Sequence, residues 1–293
     1  VSQRPERGNG VRRTAGHRAG YLVIRTAGEL LITAGVVLLL FVFYTLYVTN
    51  WTSAQLQRES EERLERAWDE QDGMDAPADA GTDSTDAGTD SAFARIRIPA
   101  FGPDYRYTVQ SGVDADHLEI GPGHYPQSAM PGEPGNFGVA GHRIGRGAPF
   151  TDLDELGSCD ALVVETATNF FVYRVLPFDE EIDGWEAIRQ RRPECANVST
   201  LRDTGDGPGE PYGDTVGRRI VTPDRSDAVA PVPYREVDVL PRLEQAALIT
   251  LTTCHPQYSD RERLIVHGVL TQQVPKSQVQ DDYGQLLEQL GEV

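Results

Sequence analysis

Basic charge and sulfur are what this chain has least of. Lysine occurs once, at Lys276, so nearly every cation is an arginine; this reflects base composition of a high-GC genome more than chemistry. Against 27 Lys and Arg stand 45 Asp and Glu, a formal net charge of -18. A protein that grips phosphates needs a basic face, so the balance argues against a nucleic-acid partner. Part of the acid excess sits in one linker and says little about any active site. There are only three cysteines, Cys159, Cys195 and Cys254. No close Cys or His pair has zinc-site spacing, so neither a metal nor another cofactor is expected. An odd cysteine count in a secreted chain leaves at least one thiol free or bridged elsewhere.

Long apolar runs are equally scarce, and the one present decides the compartment. Leu30 to Val48 reads LLITAGVVLLLFVFYTLYV, without a charge. At about 1.5 Å per residue this approaches the ~30 Å of a bilayer core. Arg4, Arg7, Arg12, Arg13, Arg18 and Arg25 precede it, and Asn50 and Trp51 follow. The positive-inside rule predicts a cytoplasmic N-terminus, residues 1–29, one transmembrane anchor at 30–49, and an extracellular remainder. Tyr44, Tyr47 and Trp51 suit the interface. A cleaved signal peptide would have a shorter apolar region with small residues at a cleavage site, which favours an uncleaved anchor.

Residues 50–92 form a link of two kinds. QLQRESEERLERAWDEQ (55–71) carries helix formers of mixed charge and predicts a short solvated helix or stalk. APADAGTDSTDAGTDS (76–91) has almost nothing to bury and predicts an acidic flexible spacer.

The globular part is expected over 93–272. FARIRIP and YRYTVQ (105–110) predict strands, and DADHLEIG (114–121) a turn or two of helix with Asp114 as N-cap. The Gly- and Pro-dense GPGHYPQSAMPGEPGN (121–136) predicts an irregular loop. FGVAGH predicts a buried strand ending on His142, and 161–178 a hairpin around Thr168 and Asn169. Residues 179–217 show little periodicity and read as a long insertion. Strand character resumes at RRIVTP (218–223), AALITLTTC (246–254) and RLIVHGVL (263–270). Many short strands with little helix predict a mainly β fold, a closed or nearly closed barrel. A polar tail, 273–293, is expected at the periphery.

Two of these strands end on chemically useful residues. A thiolate is the reactive form of cysteine, and a nearby imidazole can generate it. Cys254 closes LITLTTC and His142 closes FGVAGH, so both could meet at a barrel mouth. Arg263 opens the next strand, and its fixed fork of donors suits a developing oxyanion. On pattern alone two readings stay open, since a small buried cysteine also closes strands in this way. His255, directly after Cys254, should point to the opposite face, and His267 reads as packing or partly exposed.

AGH (140–142), TLTTC (250–254) and RLIV from Arg263, in that order, resemble the signatures of the sortase family. GPGHYPQSAMPGEPGNFGVAGHR and TTCHP are most similar to its class E, common in high-GC Gram-positive actinobacteria. The resemblance implies a sortase-type β-barrel acting as a cysteine transpeptidase (a thiol-protease-like chemistry), with Cys254 as nucleophile, His142 as acid/base and Arg263 as oxyanion partner. It implies a groove shaped by Tyr125, with His124 and Thr253 as further substrate-binding candidates. The implied partners are secreted proteins with a Leu-Ala-X-Thr-Gly or Leu-Pro-X-Thr-Gly signal, cleaved between Thr and Gly, and a peptidoglycan-precursor amine as acceptor for cell-wall anchoring. A lysine acceptor (pilin polymerisation), water (a Cys/His hydrolase) and a non-catalytic anchored binding domain are the alternatives. Cys159 and Cys195 depart from the family pattern. Outside the cell they either pair, tying the insertion to the barrel, or remain thiols.

Overall fold

The computed structural model describes residues 15–44, 49–72, 91–201, 210–235 and 239–292. The chain divides into two units, 1–48 and 49–293. In the first, helix α1 (Ala15–Phe43) contains one stretch, Ile24–Phe43, long and apolar enough to cross a membrane. This stretch begins at Ile24 and not at Leu30. Arg25 and Glu29, one turn apart, pair at 2.9 Å, so their charges offset each other within the helix. Residues 45–48 of the expected span, the arginines before residue 15 and most of the acidic spacer lie outside the described residues.

The second unit opens with helix α2 (Thr49–Asp72) and continues through strands β1 (Ala92–Arg97), β2 (Arg106–Gln110), helix α3 (Ala115–Ile120), β3 (Gly123–His124) and β4 (Gly135–Ala140). Then come β5 (Ala161–Glu165), β6 (Asn169–Val175), helix α4 (Trp185–Arg189), β7 (Arg218–Val221), β8 (Ala247–His255), β9 (Glu262–Pro275) and helix α5 (Tyr283–Leu290). The sheet order is β6-β5-β1-β2-β3-β4-β8-β9-β7, and β6 also pairs with β9. That last pairing closes the barrel and leaves β7 as an extra strand on β9. Closure removes the open edges that an eight-stranded sheet would otherwise expose.

Alternation sets which residues fill the barrel. Leu162 and Val164 of β5, Phe171 and Tyr173 of β6, Phe137 and Val139 of β4, and Ile249 and Leu251 of β8 meet in one core. Each such buried side chain contributes about 1.5–3 kcal/mol. The intervening residues face outward and are covered by other elements. Ala161, Val163, Phe170 and Val172 pack with Val279 and Leu286 of the C-terminal segment. The tail is therefore not peripheral. Leu286 and Leu287 lie on one face of α5, and Glu292 pairs with the buried Arg174.

The insertion also has a core of its own, with Trp185, Val198, Leu201 and Tyr212 packed against Leu176 and Leu248 of the barrel. Cys159 and Cys195 are disulfide-bonded, with Cα atoms 5.2 Å apart, and this bond ties the insertion to the turn before β5.

Helix α2 is present as expected, but one face of it is docked on the barrel instead of being solvated all round. It lies across α3, β1 and β2. Gln57 bonds the Ile120 carbonyl and the Thr108 amide, and Ser60 meets Thr108 and Gln110. Glu61 and Glu65 pair with Arg95, whose side chain is 5 % exposed, at 2.5 and 3.2 Å. The only lysine completes this outer face: Lys276 pairs with Glu165 and sits over Trp68 of α2.

Asp114 caps α3 as its sequence predicts, accepting from the amides of Asp116 and His117. The 121–136 loop contains the short strand β3, which the dense Gly and Pro content masked. Strand β4 stops at Ala140, two residues before His142. A Cβ on Gly141 would lie 2.5 Å from the Phe150 ring, so the chain turns here against Phe150 where only glycine fits.

Candidate active site

Strands β4 and β8 run parallel, with Ala140 opposite Thr252. The ladder continues one step, because the Gly141 amide donates to the Thr252 carbonyl at 3.0 Å. The next residues on the two segments are His142 and Cys254. On the other side of β8, Cys254 is the direct antiparallel partner of Arg263. The three candidates thus come from neighbouring positions on three adjacent segments at one rim of the barrel.

Facing follows from alternation. Ile249 and Leu251 point into the barrel core, so Thr250, Thr252 and Cys254 point outward. Leu264 and Val266 point inward on β9, which turns Arg263 outward beside Cys254. Cys254 is a free, half-buried thiol.

His142 is half-buried, and its Nε2 is sheltered with no hydrogen-bond partner among the described residues. Burial lowers its pKa; the Arg146 charge lowers it further, and Glu119 opposes. The ring is therefore neutral near pH 7 and able to accept a proton. Arg263 uses Nη1 to bind the carbonyls of Asp260 and Glu262, at 2.8 and 3.0 Å. Its Nε and Nη2 have no protein partner among the described residues, so donors remain for a substrate oxygen.

The three groove candidates are placed differently. The Tyr125 hydroxyl lies 3.0 Å from Thr252 Oγ1, on the same outer face as Cys254 and one strand repeat (about 7 Å) from it. Gly138 makes room for that ring: a Cβ there would stand 3.1 Å from it. Thr253 points the other way. It is 3 % exposed and donates to the Gly141 carbonyl at 2.8 Å, so it ties the two strand ends together from behind. His124 is buried rather than groove-lining. It stacks on Phe137, and its Nε2 lies 3.1 Å from the Ala129 carbonyl and 2.9 Å from Ser128 Oγ. There it fixes the loop that follows Tyr125.

Two other histidines, His255 and His267, hold structure. His255 points away from Cys254, with Nδ1 2.9 Å from Arg143. His267 is fully buried between Thr250 and Tyr234, at 2.8 and 2.9 Å. The Thr250 hydroxyl donates a hydrogen bond to Asn136 Oδ1, and Asn136 Nδ2 in turn donates to the carbonyls of Ala228 and Ala230. This chain fastens the 226–234 segment onto the outer face beneath the site. A separate cavity of about 570 Å3, lined by Ser128, Glu133, Arg242 and Gln245, lies at the opposite ends of β4 and β8 and does not include Cys254.

Two residues near the site carried no distinct sequence signal. Thr252 could have been found by strand parity with Cys254. Arg143, next to His142, is 5 % exposed and reaches both the Cys254 carbonyl and the Asp154 carboxylate.

A sortase-domain family profile matches residues 96–271, more than half of the chain. The chain belongs to the sortase family. Members of this family are cysteine transpeptidases. The chain is 30% identical over 274 residues to Sortase SrtE1 of Streptomyces coelicolor, with 90% of this chain and 62% of that protein aligned. It is 28% identical to Sortase SrtE2 of the same organism, over 90% of this chain and 87% of that one. The chain thus spans under two thirds of the length of the first relative. Among solved structures it is similar to the SrtF sortase from Corynebacterium diphtheriae, with 42% identity and a TM-score of 0.55 over 64% of this chain and 87% of that one.

Proposed function

We propose that this sortase is a membrane-anchored transpeptidase that cuts a Leu-Ala-X-Thr-Gly type signal between Thr and Gly and passes the protein to an amine of the cell-wall precursor. The observation that carries this reading is the neighbouring placement of His142, just after β4, with Cys254 on β8 and Arg263 on β9. In the first half-reaction, neutral His142 takes the Cys254 proton as sulfur bonds to the Thr carbonyl carbon. The carbonyl electron pair moves onto oxygen, where Arg263 donates to it. Collapse of that intermediate breaks the C–N bond, and imidazolium returns its proton to the departing glycine amine. In the second half, the acceptor amine attacks the thioester, His142 takes its proton, and Cys254 leaves as thiolate.

Helix α1 supports a membrane anchor, and the arginines before it favour a cytoplasmic N-terminus with the barrel outside, where secreted substrates and wall precursors meet. Tyr125, beside Thr252 and below Cys254, lines the groove that receives the signal.

The test uses the full chain in detergent with a Leu-Ala-X-Thr-Gly peptide and a glycine-type amine, followed by mass spectrometry. Amine-linked product cut between Thr and Gly, absent in Cys254→Ala, is the expected result. Cleavage giving only the hydrolysed acid, with amine in excess, would replace the transpeptidase by a hydrolase. No cleavage of this peptide or of Leu-Pro-X-Thr-Gly would count against catalysis on such signals.

A further inference from the structure

Arg143 is a buried cation that the reaction just described does not use. Its backbone follows His142 directly, and its carbonyl accepts from Thr151 Oγ1 at 3.0 Å. Its side chain runs to a different strand. Nη1 donates to His255 Nδ1 at 2.9 Å and, over a longer 3.4 Å, to the Cys254 carbonyl; Nη2 pairs with Asp154 at 2.7 Å. One residue therefore grips the end of β8 and the segment after β4 at once. We infer that Arg143 is a positioning residue that locks the Cys254 end of β8 to the loop bearing His142.

The geometry explains why arginine is needed. Three acceptors lie around one planar group: a ring nitrogen, a backbone carbonyl and a carboxylate. A guanidinium offers fixed, divergent donors to all three, whereas a lysine ammonium is a point donor on a flexible stem. From behind the sheet, Thr253 supplies a second tie, from its hydroxyl to Gly141. Together these bonds leave little freedom for Cys254 to slide relative to His142. The neighbouring loop is also held: Tyr107 donates to the Gly147 carbonyl at 2.9 Å and Tyr105 to Pro149 at 2.5 Å. In this set two side chains cross between the His segment and the Cys segment, Thr253 from the Cys side and Arg143 from the His side.

The inference rests on the transpeptidase reading for its kinetic consequence, but it can be read without substrate. The full chain in detergent is compared with Arg143→Gln, Arg143→Lys and Asp154→Asn. Three measurements are taken: the kcat and KM split for the signal peptide, the iodoacetamide alkylation rate of Cys254, and thermal melting. Misplacing reacting groups by an ångström costs about 10²-fold in rate, so Arg143→Gln should lose about that factor in kcat with KM unchanged. Its Cys254 alkylation should slow in parallel, because the segment that carries the imidazole is no longer held beside the thiol's strand. Arg143→Lys should recover only part of both losses. Asp154→Asn, altering a half-exposed carboxylate, should stay folded and show a smaller loss in the same two quantities. Wild-type kcat and alkylation in folded Arg143→Gln would overturn the inference. So would a wild-type Asp154→Asn beside an unfolded Arg143→Gln, or a change in KM alone. A wild-type chain whose Cys254 alkylates in an Arg143-dependent way but turns over no peptide would overturn the functional reading and leave the positioning role standing.

Discussion

Cys254 and Arg263 are directly paired across the β8–β9 ladder, and the guanidinium is held there by two carbonyls of its own loop. Nη1 is occupied by Asp260 and Glu262, which fixes the plane of the group while Nε and Nη2 stay available. A fixed donor next to a nucleophile stabilises charge that develops on the adjacent carbonyl oxygen without reorganising. Arg263→Lys removes the fork and keeps the charge. It should lower kcat by about 10²–10³-fold, as loss of an oxyanion donor does, with little change in KM. Rapid-quench measurement of thioacyl formation checks this, and a rise in KM alone would assign Arg263 to substrate binding instead.

The barrel and the rim were readable because both rest on short-range pattern. Alternation marked the strands, and TLTTC and AGH each closed an apolar run. The strand ends were readable only approximately: Gly141 turns the chain at Phe150, so β4 stops before His142 although the apolar pattern runs on to it. Helix α2 was visible as a helix, but its partners Arg95, Thr108 and Gln110 are distant in sequence. Polar composition therefore read as solvated when it was matched to a polar face. The same holds for α5, whose two buried leucines sit among two glutamines and a glutamate. Groove lining was the least legible feature. Whether Thr253 or Thr252 faces the substrate side turns on parity, and the burial of His124 depends on stacking with Phe137.

Tyr125 is the candidate for substrate choice. Its hydroxyl bonds Thr252 Oγ1, and its ring occupies the space left open by Gly138. Tyr125→Phe removes one half-buried hydrogen bond and should cost about 1 kcal/mol of stability or less. Tyr125→Ala opens the outer face near the nucleophile and should narrow the kcat/KM ratio between Leu-Ala-X-Thr-Gly and Leu-Pro-X-Thr-Gly peptides. An unchanged ratio would remove Tyr125 from the groove.

His267 makes stability depend on mildly acidic pH. Burial, aided by the Arg219 charge, lowers its pKa from 6.5 to about 3. The unfolded chain therefore binds a proton that the native site refuses. The contribution is complete above about pH 6.5 and is lost progressively as pH falls toward 3. Between pH 6.5 and 5 the loss should be about 2 kcal/mol. Burial also raises the Glu165 pKa, but Arg95, Arg97 and Lys276 outweigh it and hold it below 4.5, so Glu165 matters only at lower pH. His124 and His142, also lowered, add in the same direction. Thermal melts of His267→Gln should be less stable at pH 7 and distinctly flatter from pH 6.5 to 5. A slope equal to wild type would show that His267 does not govern this window.

The packing of α2 means that the catalytic barrel does not begin at β1. Arg95 is almost fully buried, and two of its three carboxylate partners, Glu61 and Glu65, come from α2; the third is Glu165. Removing α2 leaves that guanidinium short of charge and uncovers Thr108 and Gln110, whose side chains bond Ser60. Breaking a buried charge network from one side costs about 3–5 kcal/mol. A chain that starts at residue 92 should therefore melt well below one that starts at residue 49. Leu64, 2 % exposed, gives the finer test. Leu64→Ala should cost about 2–5 kcal/mol if the helix is docked as described, and a few tenths if the helix stands free in solvent. Equal melting of the long and short chains, with a silent Leu64→Ala, would return α2 to the role of a stalk. The opposite result makes α2 part of the catalytic unit, held on the barrel's β1–β2 face.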